Sequence, residues 1–262
     1  DFNNALLNCG SSFGNIIEIK DENGNFVQLT KGRYSTFMES QNREVRKAAF
    51  NTLYEAYKKQ KNTLATTYYS NVKKDAFYSE VRKYSSSLES ALDDDKIPTS
   101  VYDNLISAVH KYLPLMHRYV KIRKKILGLD ELHPYDLYAP LADDSDMKIS
   151  YEKAKETVVK ALAPMGEEYI SALKEGLEGG WIDVYENSGK RGGAYSWGTY
   201  SCHPYVLLNH NDTLNSMFTL CHEMGHALHS YFTWKKQPYI YSGHKIFVAE
   251  VASTCNEALL ME

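Results

Sequence analysis

The sequence lacks paired cysteines and long apolar runs. Its 262 residues include four cysteines, which are well separated and form no C-x-x-C pair: Cys9, Cys202, Cys221 and Cys255. This spacing argues against a disulfide framework and favours a reducing compartment, so a cytoplasmic location is predicted. No apolar run reaches the roughly 20 residues that a membrane-spanning helix needs, and no membrane partner is therefore predicted.

The chain also lacks a strong charge of either sign. The formal net charge is −3, from 30 Lys and Arg against 33 Asp and Glu. The densest basic stretch, at residues 121–125, falls in a helical pattern and is typical of a solvated helix face, so no nucleic-acid partner is predicted. Tyrosine is abundant instead, with 21 copies. Its ring with a polar tip suits a partly hydrated groove, although the boundary of any core suits it equally.

Apolar periodicity is helical along most of the chain. Apolar residues on both sides of Asn23-Gly24 predict a hairpin over residues 16–29. Helices are predicted after the cap residue Asn42, over 78–92, and from a capping box at Ser100–Asp103 to Gly128. Further helices are predicted over 150–176 with an interruption at Pro164 and Gly166, over 213–233 with Asp212 as N-cap, and over 246–262. Residues 181–210 show only short β-like runs. The predicted fold class is mainly α, with a small β-sheet.

The strongest motif is His222-Glu223-Met224-Gly225-His226, an H-E-x-x-H sequence inside an amphipathic helical run. Residues four apart lie on one helix face, so His222 and His226 can bind one metal ion, while Glu223 can activate the water on it. A chain of this length contains the motif by chance about one time in a hundred. Few accidental matches would also fit a helix, so we predict a catalytic site with one Zn²⁺ per chain.

A catalytic zinc site needs a third protein ligand, for which His229, His244 and Glu250 are candidates. His229 lies seven residues from His222, about 10 Å along the helix axis, so joint ligation with both motif histidines is strained. His244 lies in a Ser-Gly-His loop, and geometry does not exclude it as the third ligand. Glu250 is favoured, because it lies in an otherwise apolar helical run where a metal ion would neutralise a costly charge.

Glu257 and two cysteines lie close to these candidate ligands in the sequence. Glu257 lies two turns beyond Glu250 on the same face, where it can accept a hydrogen bond from a ligand imidazole and hold its tautomer. An ordinary surface glutamate fits the pattern equally well. The helix phase of Cys221 and Cys255 directs both into the core, so neither is predicted as a ligand.

A glycine-rich segment, residues 189–198, precedes the motif. Small residues let another backbone approach closely, so a short exposed strand here can bind an extended peptide along its edge. Gly193, Ala194 and Tyr195 are the predicted substrate-binding residues. A glycine-rich turn without any such role is the ordinary alternative.

Several stretches resemble one enzyme family. The runs HEMGHALH at 222–229 and EVASTCNE at 250–257 strongly resemble the oligoendopeptidase F branch of the thimet oligopeptidase family of zinc metallopeptidases. Shorter stretches that resemble the same branch are residues 189–196, PYVLLN at 204–209, DLYAPL at 136–141, and the opening hairpin with Gly32-Arg33-Tyr34. The resemblance therefore spans nearly the whole chain.

The resemblance implies an elongated, mostly helical zinc-peptidase fold with a deep channel that admits short peptides. It implies that His222, His226 and Glu250 bind the zinc and that Glu223 is the general base. The implied function is a zinc-dependent endopeptidase that hydrolyses internal bonds of short oligopeptides. Cys255 stands where the family has an aromatic residue, a difference that concerns packing.

The resemblance also bears on the extent of the chain. Family members continue well past residue 262, and the run 246–262 ends without a stop signal. We expect residues 1–65 to be the tail of an N-terminal helical region and residues 66–262 the first part of the catalytic domain. Further C-terminal helices are expected to complete the site, and the 262 residues alone to be poorly stable and nearly inactive.

The oxyanion donor and the function class stay open on the sequence. Besides the metal, His203, Tyr205, His229 and His244 are candidate oxyanion donors, and their spacing selects none of them. A peptide-binding or zinc-scaffold protein without activity is one competing function. A carboxypeptidase on a related helical zinc fold is another, which cleavage of a peptide blocked at both ends would distinguish.

Overall fold

The computed structural model describes residues 18–141 and 148–262. These residues form two compact units, one on each side of residues 142–147. Helices dominate both units, so the predicted mainly α fold class is confirmed. Within the described ranges, no helix combines the length and the hydrophobicity needed to cross a membrane. The domain boundary predicted between residues 65 and 66 stays a prediction.

The first unit begins with the predicted hairpin. Strands β1 (Glu18–Lys20) and β2 (Phe26–Gln28) pair in antiparallel register. Gly24 in the turn has a φ of +80°, a conformation that glycine adopts without a steric cost. Residues 16 and 17 of the predicted hairpin lie outside the described residues.

Five α-helices follow the hairpin in the described part of this unit. They are α1 (Lys31–Met38), α2 (Arg43–Lys59), α3 (Lys61–Val81), α4 (Ser87–Asp93) and α5 (Thr99–Ile126). Asn42 caps α2 as predicted, because its side chain accepts a hydrogen bond from the backbone N–H of Glu44 at 3.0 Å.

Two predicted boundaries in this unit are wrong. The helix predicted over 78–92 is interrupted, since Lys83 has a left-handed φ of 64° and Ser86 caps a new helix. The capping box predicted at Ser100 is absent. Helix α5 begins one residue earlier behind Pro98, whose ring fixes φ at −62° without any side-chain cap.

A buried ion cluster holds the segment that follows α5. Asp136 is fully buried and accepts hydrogen bonds from Arg43 at 3.0 Å and from Arg46 at 2.9 Å. Burial by itself would raise the pKa of Asp136. The hydrogen bonds from Arg43, the His133 backbone N–H and Arg46 outweigh burial and lower this pKa to about 2.

The second unit contains the H-E-x-x-H motif. Its elements, in chain order, are α6 (Tyr151–Ala161), α7 (Glu167–Glu178), β3 (Ile182–Asp183), β4 (Tyr195–Trp197), β5 (Tyr205–Leu207), α8 (Leu214–Lys236) and α9 (Ile246–Met261). Strand β5 is central, parallel to β3 and antiparallel to β4. Strand β4 therefore lies at an edge of the small sheet that the sequence predicts.

Helix α8 is central to the hydrophobic core of this unit. Leu220, Cys221, Met224 and Leu228 are fully buried on it. They pack in one cluster with apolar residues of α6, α7 and β5. Burial on this scale fixes the rotation of α8, and with it the direction in which the motif side chains point.

The N-cap of α8 differs from the prediction. The cap residue is Thr213, whose hydroxyl accepts the backbone N–H of Ser216 at 3.2 Å. The predicted cap, Asp212, has a φ of 59°. A cap residue needs an extended backbone, so Asp212 cannot serve and the next residue does.

Candidate metal centre

One turn of α8 separates the two histidines of the motif. The Nε2 atoms of His222 and His226 lie 3.1 Å apart. Both side chains are partly buried, with 26% and 19% of their surface exposed. The two rings therefore meet at a point that a ligand can still reach.

Helix α9 adds a carboxylate at the same point. Oε2 of Glu250 lies 3.4 Å from Nε2 of His222 and 3.5 Å from Nε2 of His226. These three residues are the one group in the described part of the chain whose His, Cys, Asp or Glu ligand atoms converge in this way. The structure thus brings together the three residues predicted to bind the metal.

Glu257 orients the ring of His222. Nδ1 of His222 lies 2.5 Å from Oε1 of Glu257, and an ionised carboxylate can only accept, so Nδ1 is the donor. Nε2 of His222 then presents a lone pair towards Nε2 of His226 and the Glu250 carboxylate, an arrangement that a cation would stabilise.

This donor set fits a zinc ion. Zinc binds imidazole nitrogens and carboxylate oxygens at about 2.0–2.2 Å, and tetrahedral angles then separate ligand atoms by roughly 3.3 Å. The observed separations are 3.1, 3.4 and 3.5 Å. Burial lowers the pKa of His226, although Glu250 opposes it, and so favours the neutral imidazole that binds metal.

Glu223 lies beside this cluster with a buried carboxyl group. Burial raises its pKa; His222 opposes this effect and Glu250 adds to it. The backbone N–H of Ser196 in β4 approaches this carboxylate and opposes the rise in its pKa. Among the described residues, Oε2 is buried and has no hydrogen-bond partner. An acceptor left in this state is costly unless a further ligand, such as a water, binds it.

Close packing of α8 on α9 brings these groups together. A Cβ atom on Gly225 would lie 2.7 Å from Cα of Ser253 and 2.9 Å from the carbonyl oxygen of Ala252, so only glycine fits here. The hydroxyl of Ser253 donates to Oε2 of Glu250 at 2.9 Å. Glu250 is therefore held both by the helix contact and by its own neighbour one turn on.

The predicted substrate-binding residues lie at the start of β4. Gly193 has a φ of +89°, which favours glycine, and its carbonyl accepts a hydrogen bond from Nδ2 of Asn209 at 2.8 Å. Ala194 is half-buried and packs on the core, whereas Tyr195 is exposed. These residues lead directly into Ser196, the residue that contacts Glu223.

The profile of peptidase family M3 matches residues 36–262. The chain belongs to peptidase family M3. It is 58% identical over 244 residues to the oligopeptidase PepF of Bacillus subtilis (strain 168), covering 93% of this chain and 36% of that protein. It is 47% identical to an oligoendopeptidase F homolog of Lactococcus lactis subsp. lactis (strain IL1403), covering 93% of this chain and 40% of that protein. The resemblance to the oligoendopeptidase F branch is confirmed.

Solved structures share the fold of this chain. The oligoendopeptidase F of Enterococcus faecium is 36% identical and superposes with a TM-score of 0.62, covering 99% of this chain and 39% of its own. PZ peptidase A superposes with a TM-score of 0.81 over 98% of this chain and 45% of its own, at 18% identity. The chain spans 36% and 40% of the length of the two curated relatives named above.

The other two candidate ligands of this M3 chain pair with each other. The rings of His229 and His244 stack at a centroid distance of 4.1 Å. Neither belongs to the converging group of ligand atoms. Another candidate donor, His203, stacks on Trp181 at 5.3 Å with its Nδ1 against the carbonyl of Pro204. The structure brings none of these three rings into the ligand cluster.

One side chain on α9 points differently from its predicted direction. Cys221 is buried as predicted, but Cys255 is exposed, because Ser253 and Asn256 occupy the buried face of α9. Sequence analysis missed the contribution of Ser253 and Asn256. These two residues lie three apart and therefore share a face of α9, a small polar pair that could have indicated a helix contact.

Proposed function

We propose that this chain is part of a zinc-dependent endopeptidase that hydrolyses internal bonds of short oligopeptides. One observation carries the proposal: the Nε2 atoms of His222 and His226 and a carboxylate oxygen of Glu250 converge within 4.8 Å beside the buried carboxyl group of Glu223. When bound there, one zinc ion per chain would polarise the scissile carbonyl and acidify the attacking water.

Glu223 is the proposed general base. The Ser196 N–H approaches its carboxylate, and Oε2, which has no hydrogen-bond partner among the described residues, is the oxygen proposed to accept from the water. Oε2 takes the proton of the attacking water and passes it to the leaving amine. A raised pKa suits this role, because a carboxyl group that returns its proton must hold it for part of the cycle.

The open edge of β4 is the proposed docking strand for the peptide. In an antiparallel pair, the main-chain groups of successive residues point alternately towards the partner strand and away from it. Since the Ser196 N–H reaches Glu223, main-chain groups of Ser196 and of Ala194, two residues earlier, point to the open edge. An extended peptide bound there by main-chain hydrogen bonds would lie next to the general base.

The first experiment separates this function from its two competitors. The full-length protein, of which this chain is proposed to be a part, is purified and incubated with zinc and an internally quenched peptide that is blocked at both ends. We expect cleavage at an internal bond, because a docking strand binds peptide backbone and needs no free terminus. Cleavage only of peptides with a free C-terminus indicates a carboxypeptidase, and zinc binding without cleavage of either indicates a scaffold.

Three parts of the interpretation stay predictions. They are the deep channel, the cytoplasmic location, and the completion of the site by further C-terminal residues. The domain division between residues 65 and 66 belongs with them as a proposal. The proposed completion of the site by further residues is supported by the relatives, since the chain spans 36% of the length of the Bacillus subtilis protein.

A further inference from the structure

A buried amide side chain joins three helices behind the metal centre. Asn256 on α9 has no exposed surface. Its Nδ2 donates to the backbone carbonyl of Cys221 on α8 at 3.1 Å, and its Oδ1 accepts from the hydroxyl of Tyr169 on α7 at 2.8 Å. The Cys221 thiol donates in turn to the Asn256 carbonyl at 3.5 Å.

The position of this amide in the chain links it to the metal centre. Cys221 immediately precedes His222, and Asn256 immediately precedes Glu257, whose carboxylate binds His222. Glu250 lies six residues before Asn256 on the same rigid helix. Each residue of helix rises about 1.5 Å, so a shift of α9 by one residue would remove both carboxylates from their partners.

The register of α9 on α8 depends on close packing and on this amide. Gly225 approaches the backbone of Ser253 and Ala252 so closely that no Cβ fits between them. The hydrogen bond from Asn256 to the Cys221 carbonyl adds a directional constraint, because a bond to a single carbonyl is satisfied in one register only. Burying an amide is costly unless it is hydrogen-bonded, so every other register is disfavoured.

We infer that Asn256 is a positioning residue for the metal centre, which sets the register of α9 on α8 so that Glu250 and Glu257 meet His222. Tyr169 holds the orientation of the amide, because its hydroxyl donates to Oδ1 and leaves Nδ2 directed at Cys221. The inference depends on the proposed zinc site, and it concerns the affinity for zinc rather than the chemistry of cleavage.

The test measures the zinc dissociation constant by competition with a chelator, with circular dichroism as a check of folding. Asn256→Leu keeps the branched shape and the number of heavy atoms of the side chain and removes both hydrogen bonds. We expect zinc to bind 10–100-fold more weakly, the range seen when groups that orient metal ligands are removed. Tyr169→Phe removes one hydroxyl and should weaken binding in the same direction by a smaller factor.

Val158→Ala is the matched control, because Val158 is a fully buried residue of α6 in the same core and makes no contribution to the amide network. It should lower stability and leave the zinc dissociation constant near the wild-type value. A folded Asn256→Leu protein with wild-type zinc affinity would overturn the inference. If Asn256→Leu does not fold, wild-type affinity in Tyr169→Phe overturns it instead. A wild-type protein that binds no zinc refutes the proposed zinc site itself.

Discussion

Nδ1 of His222 lies 2.5 Å from Oε1 of Glu257, two turns of α9 beyond Glu250. The contact fixes the tautomer of the ring and leaves Nε2 as the atom proposed to bind the metal. It also joins α8 to α9 through side chains, next to the point where Glu250 approaches both histidines. One helix therefore provides both a ligand and the group that orients another ligand.

Removing the carboxylate of Glu257 should weaken zinc binding. In Glu257→Gln the amide no longer holds the Nδ1 proton of His222 by a charge-assisted hydrogen bond. We expect the zinc dissociation constant to rise 10–100-fold in a chelator competition assay. Glu168→Gln, an exposed carboxylate on α7, is the control and should bind zinc like the wild type. Equal affinities in the two variants would contradict a role for Glu257.

Replacing Glu223 should separate metal binding from turnover. Glu223→Gln keeps the side-chain shape and removes the base, while His222, His226 and Glu250 are unchanged. We expect one zinc per chain by atomic absorption and a loss of kcat of roughly 10²–10⁴-fold. Near-normal turnover in the zinc-loaded variant would rule out Glu223 as the general base.

The identity of the third ligand is tested by two substitutions. Glu250→Gln should lose stoichiometric zinc after dialysis, because an amide oxygen binds zinc more weakly than a carboxylate. His244→Ala should retain the metal, since this ring stacks on His229 and lies outside the converging group. Zinc contents in the opposite order would show that His244 is the third ligand.

Docking on β4 is tested by changing the substrate rather than the protein. Replacement of Ala194 by a bulky residue would disturb the core that its side chain contacts, so it does not isolate docking. Peptides that are N-methylated at one amide at a time lack single hydrogen bonds. We expect one or two positions to raise KM roughly three- to tenfold. Equal KM values for all the peptides would speak against an edge-strand complex.

The stability of the first unit should depend on pH through Asp136. Its pKa is about 2 in the folded protein against 3.8 in the absence of interactions, so the folded state binds fewer protons in this interval. The stabilisation by ionised Asp136 is present above pH 3.8 and is lost as the pH falls through about 2. The difference between the two pKa values corresponds to about 2 kcal/mol in the free energy of unfolding. Urea unfolding at several pH values measures it.

Asp136→Asn is the reference for that titration. This variant lacks the carboxyl group, so its free energy of unfolding should fall less between pH 4 and pH 2 than that of the wild type, by about the same 2 kcal/mol. Parallel pH profiles for the two proteins would show that Arg43 and Arg46 do not hold Asp136 ionised in solution.

Local signals in the sequence predicted the elements that depend on nearby residues. The hairpin follows from Asn23-Gly24, and the start of α2 follows from Asn42, because turns and caps are satisfied within a few residues. The prediction failed at Asp212, where the backbone is left-handed and Thr213 caps α8 instead. A residue type suited to a cap does not determine its own φ, which depends on how the preceding loop packs.

The sequence by itself determined the histidine pair of the proposed metal centre, since the spacing of His222 and His226 on a helix is a local property and their pairing requires no tertiary contact. Only the tertiary structure decided which later residue completes the group. Glu250 meets the histidines because Gly225 lets α9 approach α8 closely, and the contacts of Ser196 and Asn256 depend on strands and helices that are distant in sequence. Periodicity shows which face of a helix is buried, but the register between two helices depends on the packing and hydrogen bonds that form only when both are in place.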